Sequence, residues 1–296
     1  MEFRTKINIE APDFRIEPEH RILTIGSCFA DNLGRKFIEE AFLAEANPYG
    51  VMYNPASILH TVERYDKPVD IVILTLGTNH VYRLKETGEI VDNCQKRPQS
   101  LFQEEELTVD ECYGYLKKAI GILRQRNPET KVIVTVSPIR YAKYGFHGSQ
   151  LSKATLLLAA DRIAKTPSGG KGAFAYYFPA YEIVNDELRD YRFYAPDMLH
   201  PSQQAVDYIW ERFVEVSFSD ATRQYLAEWK PIKEALNHRP FNPDSDAYRS
   251  FIAQTMERKE QLAKKYPHLN YIIGRIIISP FQGSLHGNTA RQGGAG

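Results

Sequence analysis

The sequence predicts an α/β fold: a three-layer α/β/α sandwich with a mainly parallel sheet, followed by a C-terminal helical extension. Three observations predict it. Arg21–Ile25, Val69–Leu76 and Lys131–Val136 are short and almost wholly apolar, as strands covered on both faces of a parallel sheet must be. The segments between them space their apolar residues as helices do. Strand and helix signals also alternate along the chain, where two packed antiparallel sheets would give strands in succession.

The elements follow in order. Residues 1–20 contain Pro12 and Pro18 without a helical period and read as an extended arm. Arg21–Ile25 stops at Gly26, and Asp31–Glu40 then carries Leu33, Phe37 and Ile38 on one helical face. This unit reads strand, tight turn, helix. Asn47-Pro48-Tyr49-Gly50 and Asn54-Pro55 mark turns, and Ala56–Tyr65 reads as a second helix. Val69–Leu76 is bounded by Pro68 and Gly77. Thr108–Gln125 aligns Leu116, Ala119, Ile120 and Leu123 along a helix, and Lys131–Val136 ends at Ser137-Pro138. Ser152–Ala164 reads as helix, Phe174–Phe178 as strand and Val206–Val214 as helix. Asp220–Leu236 and Asp246–Tyr266 are charged helices around the loop Arg239–Pro243, a hairpin packed on, or lidding, the sandwich. Tyr271–Ile278 has the composition of a last strand. The Gly-rich polar residues 281–296 read as disordered. The expected division is 1–217 for the sandwich and its arm, 218–280 for the helical extension and 281–296 for the tail.

Composition narrows the function. A chain of 296 residues can bury a core without disulfide or metal staples. Lys+Arg and Asp+Glu both number 37, so the basic excess of a nucleic-acid binder is missing. Three cysteines, Cys28, Cys94 and Cys112, make no disulfide framework and favour a reducing compartment. The N-terminus is charged where a signal peptide is apolar, and no run approaches the roughly 18 apolar residues of a membrane span. The expectation is a cytoplasmic protein with no nucleic-acid or membrane partner. Zinc spacings, a phosphate-binding loop and a dinucleotide fingerprint are all missing from the sequence, so neither metal nor cofactor is expected. Nothing in the sequence bears on oligomeric state.

Sites in parallel α/β sheets form beyond the carboxyl ends of the strands. The first run is followed by Gly26-Ser27-Cys28 and the second by Gly77-Thr78-Asn79-His80, while Asp197-Met198-Leu199-His200 comes near the end of the sandwich. Together they supply two nucleophiles, an amide donor and a carboxylate–imidazole pair, which is the inventory of acyl transfer. Taken alone, each has a plainer reading: Cys28 as a small buried hydrophobe, Ser27 as a helix N-cap, Asn79 as a turn residue, Asp197 as a cap.

Gly26-Ser27-Cys28-Phe29-Ala30 resembles the name motif of the GSCFA family, which belongs with the SGNH (GDSL-like) hydrolases. The resemblance extends to Asn47–Pro55, Leu76–Thr78, Asn93-Cys94, Val136–Pro138, Ser152–Ala154, Tyr177–Glu182 and Asp186–Ser202. It implies a flavodoxin-like sandwich and an esterase-type site. Gly50 then matches the backbone oxyanion donor, Asn79 the side-chain donor, and Asp197 and His200 the orienter and base; His80, in place of the usual Asp, is a further polar contact. A gapless alignment sets Ser27 on the family's Asp and Cys28 on its catalytic Ser, so Cys28 is placed ahead of Ser27 as nucleophile. The helix N-terminus and an imidazolium would acidify that thiol. The function implied is an acyl-ester hydrolase or acyltransferase for a small-molecule or carbohydrate ester. The alternative is a non-catalytic ligand-binding protein on the same scaffold.

Overall fold

The computed structural model describes residues 4–92, 94, 97–168 and 173–271. Its strands are β1 (Arg21–Gly26), β2 (Leu43–Ala46), β3 (Ile71–Leu76), β4 (His80–Leu84), β5 (Ile90–Val91), β6 (Phe102–Glu106), β7 (Lys131–Val136) and β8 (Tyr176–Tyr177). Its α-helices are α1 (Cys28–Glu39), α2 (Pro55–Arg64), α3 (Val109–Arg126), α4 (Gly145–Ala164), the single turn α5 (Ala180–Glu182), α6 (Gln203–Ser217), α7 (Asp220–Asn237) and α8 (Asp246–Lys265).

Five strands pair in parallel in the order β2-β1-β3-β7-β8. The three apolar runs are therefore neighbours, with Ile22 opposite Ile71 and Ile71 opposite Lys131. Their alternate side chains feed two cores. Ile22, Ile71, Ile73 and Ile133 pack with Phe29 and Phe37 of α1 and Phe213 of α6. Leu23, Ile25, Val72, Leu74, Val132 and Val134 pack on the other side with α2, α3 and α4, through Leu59, Leu116 and Leu156. Every residue of β3 is buried. At about 1.5–3 kcal/mol for each fully buried aliphatic side chain, this double coverage outweighs the ordering cost of so short a strand. Local signals set the helix starts. Ser27 caps α1, Asn54 caps α2 in a capping box with Ser57, and Thr108 caps α3 in one with Glu111.

Several elements depart from the sequence reading. A second, antiparallel sheet of order β5-β4-β6 follows the Gly77 turn. Its strands, HVYRL and FQEEE, lack apolar alternation; cross-strand pairs such as Tyr82 with Glu104 and Arg83 with Glu105 join them. The short β2 was also unforeseen, being only half-buried throughout. The helix expected from Ser152 begins at Gly145, and the strand expected over Phe174–Phe178 shrinks to Tyr176–Tyr177.

The hairpin of α7 and α8 grips the C-terminal end of α1. The Tyr225 hydroxyl shares its one proton between the Glu40 and Ala41 carbonyls, 2.9 and 3.0 Å away, and Trp229 Nε1 donates to the Glu39 carbonyl at 3.0 Å. These contacts lie at the far end of α1 from Cys28. The expected strand Tyr271–Ile278, beyond its first residue, and the expected tail 281–296 lie outside the described residues. Among the described residues no helix is long and apolar enough to cross a membrane.

Candidate active site

The turn after β1 is built around a position open only to glycine. Gly26 has φ +140°, and a Cβ there would come within 2.1 Å of the Thr75 carbonyl oxygen. Its N–H donates to Asn47 Oδ1 at 2.8 Å, and Asn47 Nδ2 donates to Asp31 Oδ1 at 2.7 Å. Ser27 follows, fully buried. Its N–H donates to the Thr75 carbonyl and its Oγ accepts from the Phe29 N–H at 3.2 Å. Ser27 Oγ is thus occupied as the N-cap of α1.

Cys28, the first residue of α1, is half-buried and lines a cavity of about 460 Å³. His200 lines the same cavity, as do Tyr53, His80, Tyr141 and Tyr144. His200 Nδ1 lies 2.6 Å from Asp197 Oδ2, while Asp197 Oδ1 accepts from the Leu199 and His200 N–H groups at 2.9 and 3.0 Å. Those backbone donors, and then the imidazole, hold the Asp197 carboxyl at a pKa of about 2. With Nδ1 engaged by the carboxylate, Nε2 is left as the acceptor of the neutral ring. Arg140 fixes this loop from the carboxyl side of β7. Its N–H donates to the Leu199 carbonyl and its guanidinium to the Met198 carbonyl, both at 3.0 Å.

Other expected residues sit elsewhere. Gly50 lies in an exposed turn at φ +93°, and its N–H donates to the Asn47 carbonyl at 2.8 Å. Asn79 Nδ2 donates to the Leu107 carbonyl at 2.8 Å, so its amide anchors the start of the antiparallel sheet. Neither residue lines the cavity. His80 does, stacked on Tyr144 with ring centroids 3.6 Å apart. Its nitrogens stand 3.6 and 3.9 Å from the Glu104 and Glu106 carboxylates, and burial pushes its pKa down against their pull.

The Cys28 thiol is not acidified. Burial first, and then the Asp31 carboxylate one turn along α1, push its pKa up. A bond from the Tyr53 hydroxyl and the helix N–H oppose them. The acidified thiol expected from the helix terminus and the imidazole is thus not found, because Asp31 and burial act the other way.

The cavity tyrosines and Lys153 have no role among the sequence expectations, although Tyr53 and Lys153 lie within the segments that carry the family resemblance. Tyr141 and Tyr144 stand beyond the carboxyl end of β7, where the strand-end rule would have pointed. Lys153 of α4 is wholly buried, donates to the Gly77 carbonyl at 2.6 Å and has its pKa pushed down to about 7 by burial. Among the described residues no group of three or more His, Cys, Asp or Glu side chains is placed to hold a metal ion.

Comparison with known proteins gives the chain its relatives. No curated protein matches it. Similar solved structures include a Streptococcus pneumonia protein provisionally described as a platelet activating factor, 16% identical, covering 66% of this chain and 84% of that one, with TM-score 0.45. An acetyl esterase mutant with acetate ion is 12% identical, covering 70% and 98%, with TM-score 0.39. A carbohydrate esterase family 3 member from Talaromyces cellulolyticus is 12% identical with the same coverage and TM-score 0.36. The GSCFA family model matches residues 21–69 and 61–213, and the model of the GSCFA protein C-terminal domain matches 229–271. The chain belongs to the GSCFA family.

Proposed function

We propose that the protein is an SGNH-type acyl-ester hydrolase or acyltransferase in which Cys28 is the nucleophile, His200 the base and Asp197 its orienter. One observation carries this reading. Cys28 and the Asp197-bonded His200, 172 positions apart, line one cavity at the carboxyl end of the parallel sheet. Ser27 is set aside because its hydroxyl is buried and serves as the cap of α1. The cycle balances without a cofactor. His200 takes the Cys28 proton, and the sulfur forms a bond to the ester carbonyl carbon while the carbonyl π pair moves to oxygen. The pair then returns, the carbon–alkoxy bond breaks, and His200 gives its proton to the departing alcohol. Water or an acceptor hydroxyl attacks the thioester in the same way and returns the thiol. Since the resting thiol is mainly protonated, His200 must act in the attack itself. The tyrosine-lined cavity suits a small-molecule or carbohydrate ester, since aromatic faces cover the apolar faces of sugars and short acyl chains.

The rival reading is a non-catalytic ligand-binding protein, favoured by the unacidified thiol and by the engagement of Gly50 and Asn79 elsewhere. Trapping separates the two. A thiol alkylator and then a serine-directed phosphonate are applied, and the peptide spanning residues 21–35 is mapped by mass. A panel of acylated sugars and small esters is screened in parallel. Turnover that vanishes in Cys28→Ala and largely survives in Ser27→Ala supports the enzyme. Activity that survives Cys28→Ala and dies in Ser27→Ala moves the nucleophile to Ser27. No turnover, with an inert Cys28, supports the binding protein.

A further inference from the structure

Buried polar atoms without a hydrogen-bond partner in this structure include the Tyr141 hydroxyl. Leaving such a group unmade is costly, and folds ordinarily avoid it. The chain nevertheless fixes the residue at its backbone and at two sides of its ring. The Tyr141 N–H donates to Ser149 Oγ at 3.1 Å, Tyr53 packs edge-on at 6.2 Å, and the Lys153 ammonium lies 4.9 Å from the ring centroid. Position 77 leaves the hydroxyl room. A Cβ on Gly77 would come within 2.4 Å of that oxygen and 3.3 Å of Ser27 Cβ. The hydroxyl and the turn that carries Cys28 thus both lie against Gly77, and Tyr141 and Cys28 line the same cavity, while the two oxyanion donors expected from the sequence are committed to the Asn47 and Leu107 carbonyls.

We infer that the Tyr141 hydroxyl is the side-chain donor to the acyl oxygen when Cys28 attacks, an inference that rests on the hydrolase reading above. Burial and the neighbouring Cys28, Tyr53 and Tyr144 keep this phenol neutral, with its pKa well above the ordinary value. A neutral donor that no other group of the protein engages suits the task. Its dipole is held before charge develops, and no bond within the protein has to break when the oxyanion forms. As the carbon–sulfur bond forms, the carbonyl π pair moves to oxygen, which accepts from the Tyr141 O–H. When the carbonyl re-forms, the leaving alkoxide takes its proton from His200, and Tyr141 keeps its own throughout.

Comparing acylation with alkylation tests the inference. Wild type and Tyr141→Phe are treated with p-nitrophenyl acetate or with iodoacetamide; acetyl transfer to Cys28 is followed by p-nitrophenol release, with Cys28→Ala as the blank, and alkylation of Cys28 by mass. Acetyl transfer passes through an oxyanion and alkylation does not. Acetylation should fall by about 10²–10³-fold in the variant, with alkylation unchanged and the thermal midpoint unchanged or raised, because an unpaired hydroxyl has gone. Equal acetylation in the two proteins overturns the inference and leaves the hydrolase reading standing. Equal loss of acetylation and alkylation also overturns it, since Tyr141 would then only shape the thiol's surroundings. A wild type that takes iodoacetamide but releases no more p-nitrophenol than Cys28→Ala overturns both readings together.

Discussion

Lys153→Met removes a charge that the fold keeps out of water directly beneath the Gly77 turn. The wild-type side chain is wholly buried, with its pKa pushed from an ordinary 10.5 down to about 7. A lysine depressed in this way opposes folding wherever the unfolded chain holds the proton and the folded one does not. Between about pH 7 and 10.5 the unfolded state binds more protons, so stability must rise with pH across that window. At about 1.36 kcal/mol per pH unit the full interval is worth about 5 kcal/mol, of which about 2 kcal/mol is gained between pH 7 and 9. Lys153→Met has no proton to exchange and should lack this gain, although the Gly77 carbonyl loses its donor. Urea unfolding of both proteins at pH 7, 8 and 9 gives the comparison. The difference in stability between wild type and variant should grow with pH in favour of the wild type. Parallel pH profiles would refute the reasoning, because Lys153 would then titrate alike in the folded and unfolded chains.

Three further outcomes are expected. Gly26→Ala forces a Cβ to within 2.1 Å of the Thr75 carbonyl oxygen and should cost about 3 kcal/mol or more; a urea midpoint like that of wild type would contradict this. Asp197→Asn should lower kcat on a responsive ester by about 10²-fold or more, because the His200 tautomer is no longer fixed. An unchanged kcat would remove Asp197 from the proposed site. Tyr225→Phe deprives the Glu40 and Ala41 carbonyls of their donor and should cost about 1–3 kcal/mol in chemical denaturation.

The parallel core was legible in the sequence because a strand buried on both faces has almost no polar residue to mislead the eye: IVILTL can hardly be read otherwise. The Asp197–His200 pair was legible because three positions of spacing let one carboxylate bond both the loop N–H groups and the ring. The sheet of β4, β5 and β6 was not, since cross-strand charge pairs hold it and these leave no period along the chain. The role of Asn79 was not legible either. Leu107, 28 positions on, decides where its amide goes, and nothing near Asn79 announces that partner. Tyr141 and Lys153 are buried by the closing of α4 over the Gly77 turn, so their sequence neighbourhood carries no trace of it.

The grip of α7 on α1 gives the C-terminal segment a mechanical part in the cavity it does not line. An α-helix of 12 residues is a strut about 18 Å long, and the two ends of this one are held by unrelated parts of the chain. At its start the Gly26 turn and Ser27 seat Cys28. At its finish Tyr225 and Trp229 tie down the carbonyls of Glu39, Glu40 and Ala41, and Lys233 pairs with Glu40. A chain cut after Ser217 would keep every residue of the proposed site and yet surrender that far anchorage. The last turn of α1 would then lose the donors to its final carbonyls and be held by its packing on α6.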